Sequence, residues 1–280
     1  MRLAAVVVAA GVFALAAGAE IRYSASLQAW RAEREAKLRA PDGWLAVAGL
    51  FWLRDGEALV GSDPLSDVVL REGLPKRAGV LRMQSGAVTF EPVGGPAQVM
   101  RPDVPSPADV VKIGSVAMTI IRRGDRTGVR LKDPDAATRR DFSGCKWFKA
   151  AERWKLRAKW VPYPAARTMR IVNVLGMTIE ESSPGYAEFS VGGKLLRLEP
   201  ITEEDHLFFI FKDMTAGKTT YGAGRYLYTV ISKDGFVEMD FNKAENPPCA
   251  FTAFATCPLP PKQNILPLEI AAGEMKYGKH

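Results

Sequence analysis

Three features of this sequence predict a mainly β fold, an antiparallel sandwich or barrel with one N-terminal amphipathic helix. Turn dipeptides recur between short β-rich runs, at Ser85-Gly86, Gly124-Asp125, Gly192-Gly193 and Asp234-Gly235. Strand–helix alternation and internal repeats are absent from the sequence, which disfavours a doubly wound nucleotide-binding fold. Helical patterning is confined to one stretch near the N-terminus.

The chain opens MRLAAVVVAAGVFALAAGAE. Arg2 supplies a positive start, residues 3–16 are apolar, and Ala17-Gly18-Ala19 has the small-x-small pattern of a signal-peptidase site. Residues 1–19 therefore read as a signal peptide cut between Ala19 and Glu20. A membrane anchor is the alternative. The run falls short of the roughly 20 apolar residues a span needs, and no basic cluster follows it. The expected location is periplasmic or secreted, with no transmembrane segment after cleavage. Residues 20–280 then form a single β-rich domain.

Residues 23–40 read as the helix, with Ser24 as N-cap and Pro41 as stop. Leu27, Trp30 and Leu38 share a face, and Glu33–Lys37 and Glu35–Arg39 are favourable i,i+4 pairs. From Trp44 onward the signals are strands. GWLAVAGLFWLRDG is apolar and interrupted by glycine. AGVLRMQ-SG-AVTFEP, SVAMTIIRR-GD-RTGVRLKD, YAEFSV-GG-KLLRLEP and GRYLYTVIS-KDG-FVEMDFN each read as a hairpin. In RWKLRAKW, Arg153, Lys155, Arg157 and Lys159 alternate strictly with apolar residues. This cationic face either contacts an anionic envelope surface or protects an edge strand from aggregation.

The densest chemistry lies in residues 211–261. Asp213, Thr215, Tyr221, Arg225, Asp240, Asn242 and Asn246 stand among short apolar runs there. Arg225 between two carboxylates has two readings. One is a polar pocket in which the arginine binds an anionic group and a carboxylate exchanges protons. The other is a buried ionic network, with Asn242 and Asn246 satisfying loop backbone. Tyr221 and Tyr226 read as half-buried strand aromatics.

Three cysteines are present, Cys145, Cys249 and Cys257. In an oxidising compartment Cys249 and Cys257 are the natural disulfide, with Cys145 left as a small buried hydrophobe. A reactive thiol is the alternative. No cofactor or metal is expected. Ala216-Gly217-Lys218-Thr219-Thr220 mimics a P-loop, but Lys212 stands where its first glycine is required. No G-x-S-x-G elbow occurs. The only histidines are His206 and His280, and the cysteine spacing is not that of a zinc ribbon. Glu203, Glu204, Asp205 and His206 are consecutive, so their side chains diverge. A net charge of +7 fits anionic surroundings, whereas no nucleic-acid-binding motif is present.

GWLAVAGLFWLRDG, RGDRTGVRLKD, FKDMTAGKTTYGAGRYL, DFNKAENPPCAFTAFATCPLPPKQNIL and the final IAAGE together resemble a bacterial and archaeal family of unknown function, domain-of-unknown-function family 1684. The resemblance extends over residues 23–274. It implies one continuous module and carries no catalytic residue. Three functions stay open. A small-ligand-binding or accessory module would use a pocket around Arg225, Asp213 and Asp240. A hydrolase would use Asp213 and Asp240 as an acid/base pair. A structural envelope protein would use the basic strand. Whether the protein is an enzyme is not decided by the sequence.

Overall fold

The structure is a computed structural model. It describes the backbone of residues 2–105 and 107–278, and the side chains of residues 20–105 and 107–278. The side chains of the expected signal peptide, and with them its cleavage motif, lie outside the described residues.

Helix α1 (Arg2–Arg39) leads through a 3-10 turn (Trp44–Ala46) into the first nine strands. These are β1 (Val47–Trp52), β2 (Gly56–Gly61), β3 (Val68–Val69), β4 (Gly79–Gln84), β5 (Ala87–Pro92), β6 (Gln98–Met100), β7 (Val110–Ile113), β8 (Val116–Arg123) and β9 (Arg126–Lys132). A single turn of helix, α2 (Ala137–Arg140), precedes β10 (Lys155–Val172), β11 (Thr178–Val191), β12 (Lys194–Leu198), β13 (Ile201–Glu203), β14 (His206–Phe211), β15 (Arg225–Thr229) and β16 (Phe236–Asp240). The remainder is loop and 3-10 turn.

The strands form four open sheets, ordered β3-β2-β4-β5-β6, β1-β9-β8-β7, β12-β11-β10-β16 and β13-β14-β15. Apart from the parallel β2–β3 pair, every ladder is antiparallel. Among the described residues no sheet closes into a barrel. The first two sheets share one apolar cluster that includes Val60, Leu81, Phe90, Met118, Ile120 and Val129. The last two enclose another around Phe189, Phe209, Phe211, Met239 and Phe241. Each such phenylalanine contributes about 1.5–3 kcal/mol by leaving water.

Three of the expected hairpins form as read, because their turns demand residues that tolerate positive φ. Ser85 and Gly86 (φ 51° and 80°) join β4 to β5, and Gly192-Gly193 joins β11 to β12. Gly124-Asp125 joins β8 to β9. The fourth is a correction. The Asp234-Gly235 turn exists, but β15 pairs with β14 and β16 pairs with β10. The two arms are joined by the bridge between Ile231 and Val237 and by the Thr229 hydroxyl donating to Glu238 O at 3.0 Å, without a β15–β16 ladder among the described residues. The arms separate because each finds a longer ladder in a different sheet.

The helix also differs from its expected span. It is continuous through Ser24, so that residue is no N-cap, and it ends at Arg39 before the Pro41 stop. Both expected ion pairs form, Lys37–Glu33 at 2.7 Å and Arg39–Glu35 at 3.6 Å. Leu27 and Leu38 are buried, and Trp30 meets Trp147 edge to face. Among the described residues no helix is long and apolar enough to cross a membrane.

Candidate functional site

The residues singled out in 211–261 do not converge on one pocket. Asp213 follows β14 and Arg225 begins β15, directly opposite Phe211. Their side chains meet at 2.7 Å, each 1% exposed. The guanidinium also donates to the carbonyls of Ile270 (2.9 Å) and Ala272. Asp213 Oδ1 accepts from Thr215 N–H (2.8 Å), the Thr215 hydroxyl (2.6 Å) and Ile270 N–H (3.2 Å). The Thr215 hydroxyl is 2.8 Å from that of Thr220. This clasp holds the 213–220 turn against the C-terminal segment. Its arginine is buried, with Nη1 and Nη2 bonded to Ala272 O, Asp213 and Ile270 O.

Asp240 belongs to a second network. It accepts from the Tyr23 hydroxyl at 2.9 Å and from Asn242 N–H at 3.2 Å, which caps a 3-10 turn. Asn242 Nδ2 donates to Ala151 O and to the Tyr23 oxygen. Asp240 and Asn242 therefore dock α1 onto β16. Burial, with the Asp240 charge second, raises the Tyr23 pKa. Asp240 bonds neither Arg225 nor Asp213 among the described residues.

Asn246 serves the loop backbone. Its N–H donates to Glu274 Oε2 (2.8 Å) and its amide to Met275 O (2.8 Å). Glu274 must sit there because Gly273 turns with φ +76°, where a Cβ would lie 2.7 Å from Phe241 O and closer still to Ala244 O. Tyr221 donates to Cys249 O at 3.0 Å.

All three cysteines are free thiols, so the expected Cys249–Cys257 bridge is not formed in this structure. The two are nonetheless adjacent, with Cys249 N–H donating to Cys257 Sγ at 3.1 Å. Their thiols also bond each other, which raises the Cys257 pKa, as does burial, and lowers that of Cys249. Cys145 is half-buried against the Leu38–Phe142–Phe251 cluster, and burial raises its pKa.

The basic strand also differs from its reading. Arg153 lies in a 3-10 turn, and β10 begins at Lys155. β10 is an interior strand, flanked by β11 and β16, so it protects no sheet edge. Two of its cations already have partners: Lys155–Glu238 at 3.3 Å, and Arg157–Asp234 at 2.8 Å with the guanidinium over the Phe236 ring. Lys159 is exposed, and Arg153 stacks beside Trp154.

A hollow that sequence reasoning missed lies on the back of the three-stranded sheet. Alternation along β14 sends Leu207, Phe209 and Phe211 into one core and Phe208 and Ile210 to the other face. On that second face Tyr228 stacks on Phe208 (4.5 Å, 3°), and Tyr226 meets it edge to face (4.8 Å). Ile201 faces Phe208 across the ladder, and Glu203 follows two residues on. Glu245 joins the same face through a two-way backbone bridge to Tyr226. Together these residues line a cavity of about 670 Å³, walled further by Trp44, Ile179 and Pro258. A second hollow of about 460 Å³ shares Arg34, Glu203, Tyr228 and Glu245 with it.

The electrostatics of this cleft are unlike those of an exposed surface. Burial pushes Glu245 up to about 7. Arg34, whose Nε is 3.2 Å away, opposes this, and Glu274 adds to it. Burial, then the charges of Glu204 and Glu181, raises Glu203. Burial likewise raises Tyr228. Also on its lining, Arg123 is bound to Asp103 (2.8 Å) and donates to Thr256 (3.0 Å), and Arg122 donates to Gly86 O (3.1 Å). Among the described residues no three His, Cys, Asp or Glu side chains are placed to hold a metal ion. His206 stands opposite Glu203 at the turn end of the β13–β14 hairpin.

No curated protein matches this chain. Among solved structures it is similar to the solution NMR structure of an uncharacterized protein of Haloarcula marismortui. The identity is 27%, over 51% of this chain and 81% of that one, with a TM-score of 0.43. A family profile described as "Protein of unknown function (DUF1684)" matches residues 140–275. The match begins after β9, so GWLAVAGLFWLRDG and RGDRTGVRLKD fall outside it. Over residues 140–275 the chain matches this family of unknown function.

Proposed function

We propose that this protein is an exported binding or accessory module that holds a small organic molecule in the cleft behind β13–β15. One observation carries the reading: a cavity of about 670 Å³ lined by aromatic and aliphatic side chains together with charged groups. Ligand sites of small proteins are hollows of roughly 300–1,000 Å³ with that distribution. Phe208, Tyr226, Ile179 and Ile201 supply contact area, and the polar groups orient what enters.

The placement of Asp213 and Asp240 favours this reading over hydrolysis by an acid/base pair. Each carboxylate is satisfied by different partners in a different network. The partnered cations of β10 favour it over a purely structural envelope role. Export rests on Arg2, the apolar run and Ala17-Gly18-Ala19. In that compartment Cys249 and Cys257 would pass two electrons and two protons to a disulfide-bearing thiol oxidoreductase and close the wall beside the cavity.

The test is saturable binding of N-phenylnaphthylamine, a neutral apolar fluorophore. Wild type should bind it, and Ile179→Trp, which fills the hollow, should not. Absence of saturable binding to the folded wild type, or equal binding to the filled variant, rejects the cleft as a ligand site.

A further inference from the structure

The cleft behind β13–β15 has its cations engaged and carboxylates left over. Its lining carries Asp103, Glu181, Glu203 and Glu245 against Arg34, Arg122 and Arg123. Arg123 is bound to Asp103, and Arg122 donates to Gly86 O. Arg34 divides itself between Glu245 (3.2 Å), Glu274 (3.7 Å) and the Asn246 carbonyl (2.8 Å). Glu181 and Glu203 make no ion pair among the described residues, and the Glu181 charge helps to hold the proton on Glu203.

Glu245 shows the shortage of cations most clearly. Its backbone bridge to Tyr226 puts its side chain on the aromatic face, where it is 15% exposed and lines both hollows. The carboxylate accepts no hydrogen bond among the described residues, since the nearby Arg34 Nε–H is not aimed at it. One guanidinium shared with Glu274 does not offset burial, so the carboxyl stays at about 7. Tyr228 also lines both hollows, and the Glu203 and Glu245 charges both act on its hydroxyl. One face of its ring stacks on Phe208, yet Tyr228 remains 40% exposed. An ammonium is drawn both to carboxylates and to the open face of such a ring.

We propose that the cleft takes an organic cation, an ammonium group on an apolar body, with the ammonium seated in the lining that both hollows share, at Glu203, Glu245 and the Tyr228 ring. This rests on the cleft reading and narrows its ligand class. Phe208, Tyr226, Ile179 and Ile201 cover the body of the ligand. Arg34 keeps Glu274 and the Asn246 carbonyl as partners when the ammonium sits beside Glu245. An organic anion would meet Glu181 and Glu203 as like charges.

Three naphthalenes substituted at the same carbon, each titrated as a competitor of N-phenylnaphthylamine, separate this proposal from the cleft reading itself. Naphthyltrimethylammonium carries a cation, tert-butylnaphthalene is its neutral isostere, and naphthoate carries an anion. On wild type the ammonium should displace the dye at a concentration about tenfold or more below that of naphthoate, the worth of one charge-assisted contact. The chain's net charge of +7 would favour the anion, so a preference of this sign is local to the site. Glu203→Gln combined with Glu245→Gln should erase it and leave displacement by tert-butylnaphthalene unchanged. Glutamine keeps the shape of each side chain, and Glu245 is already half-protonated near neutrality, so the double variant should fold. The comparison on wild type needs no variant. Binding of naphthoate by wild type as tightly as the ammonium, or an ammonium preference that survives in the folded double variant, overturns the cation site and leaves the cleft standing. Failure of N-phenylnaphthylamine to bind overturns the cleft.

Discussion

Arg34 on α1 and Glu245, in the loop beyond β16, face each other at 3.2 Å, and yet the carboxyl is held near neutrality and not far below it. The reason is stoichiometric: one guanidinium serves two buried carboxylates, since its Nη2 is also 3.7 Å from Glu274. Desolvation of the pair exceeds what a single cation returns.

A pH dependence follows. The Glu245 pKa rises from 4.5 to about 7 on folding, so the native state binds more protons between those values. Its contribution is fully present below pH 4.5 and is lost as pH rises through about 7. The stability difference between Glu245→Gln and wild type should therefore move in the variant's favour by about 2 kcal/mol between pH 5 and 8. Urea midpoints at several pH values measure it. A difference independent of pH would mean Glu245 is ionised throughout.

The Arg225–Asp213 clasp should behave as structure. Arg225→Met leaves the Asp213 carboxylate and the Ile270 and Ala272 carbonyls without their donor. Breaking one side of such a pair costs about 3–5 kcal/mol. Urea denaturation with the dye-binding assay alongside separates the roles: the midpoint should fall while the affinity of the folded fraction is kept. A loss of affinity at unchanged stability would return Arg225 to the binding site.

Gly273→Ala tests the turn that delivers Glu274 to Asn246. The position has φ +76°, and a Cβ would lie 2.7 Å from Phe241 O. The cost should reach about 2 kcal/mol or more, since strain and backbone overlap act together. Thermal unfolding measures it, and a neutral result would mean the 244–274 contact yields easily.

Much of the β architecture was legible in the sequence, and the limits have physical causes. Gly86, Gly124 and Gly193 all have positive φ, a local requirement that leaves a local mark at each turn. Pairing partners are non-local, so the split of β15 from β16 left no mark in GRYLYTVIS-KDG-FVEMDFN. Burial of Asp213, Arg225, Asp240 and Asn242 fits the structural half of the reading, but proximity in sequence did not place them in one network. The cleft escaped notice because its lining comes from segments far apart in sequence: α1, the β8–β9 turn, β13–β15 and the 245–258 loop.

Export and oxidation can be checked together by intact mass. Protein recovered from an extracytoplasmic fraction should begin at Glu20 and weigh two hydrogens less than its reduced form, with peptide mapping placing the bridge at Cys249–Cys257. An uncleaved chain, or a cleaved one with both thiols free, would contradict the export reading or the bridge in turn.

The central claim is that a ligand occupies the hollow behind β13–β15. Methyl NMR of isoleucine-labelled protein, titrated with N-phenylnaphthylamine, tests it most directly. Ile179 and Ile201 line the cavity, whereas Ile120 and Ile270 are buried in the two main cores. Saturating shifts at Ile179 and Ile201, with Ile120 and Ile270 unmoved, are the expected result. Shifts confined to the cores, or none at saturating dye, would contradict the assignment of this cleft.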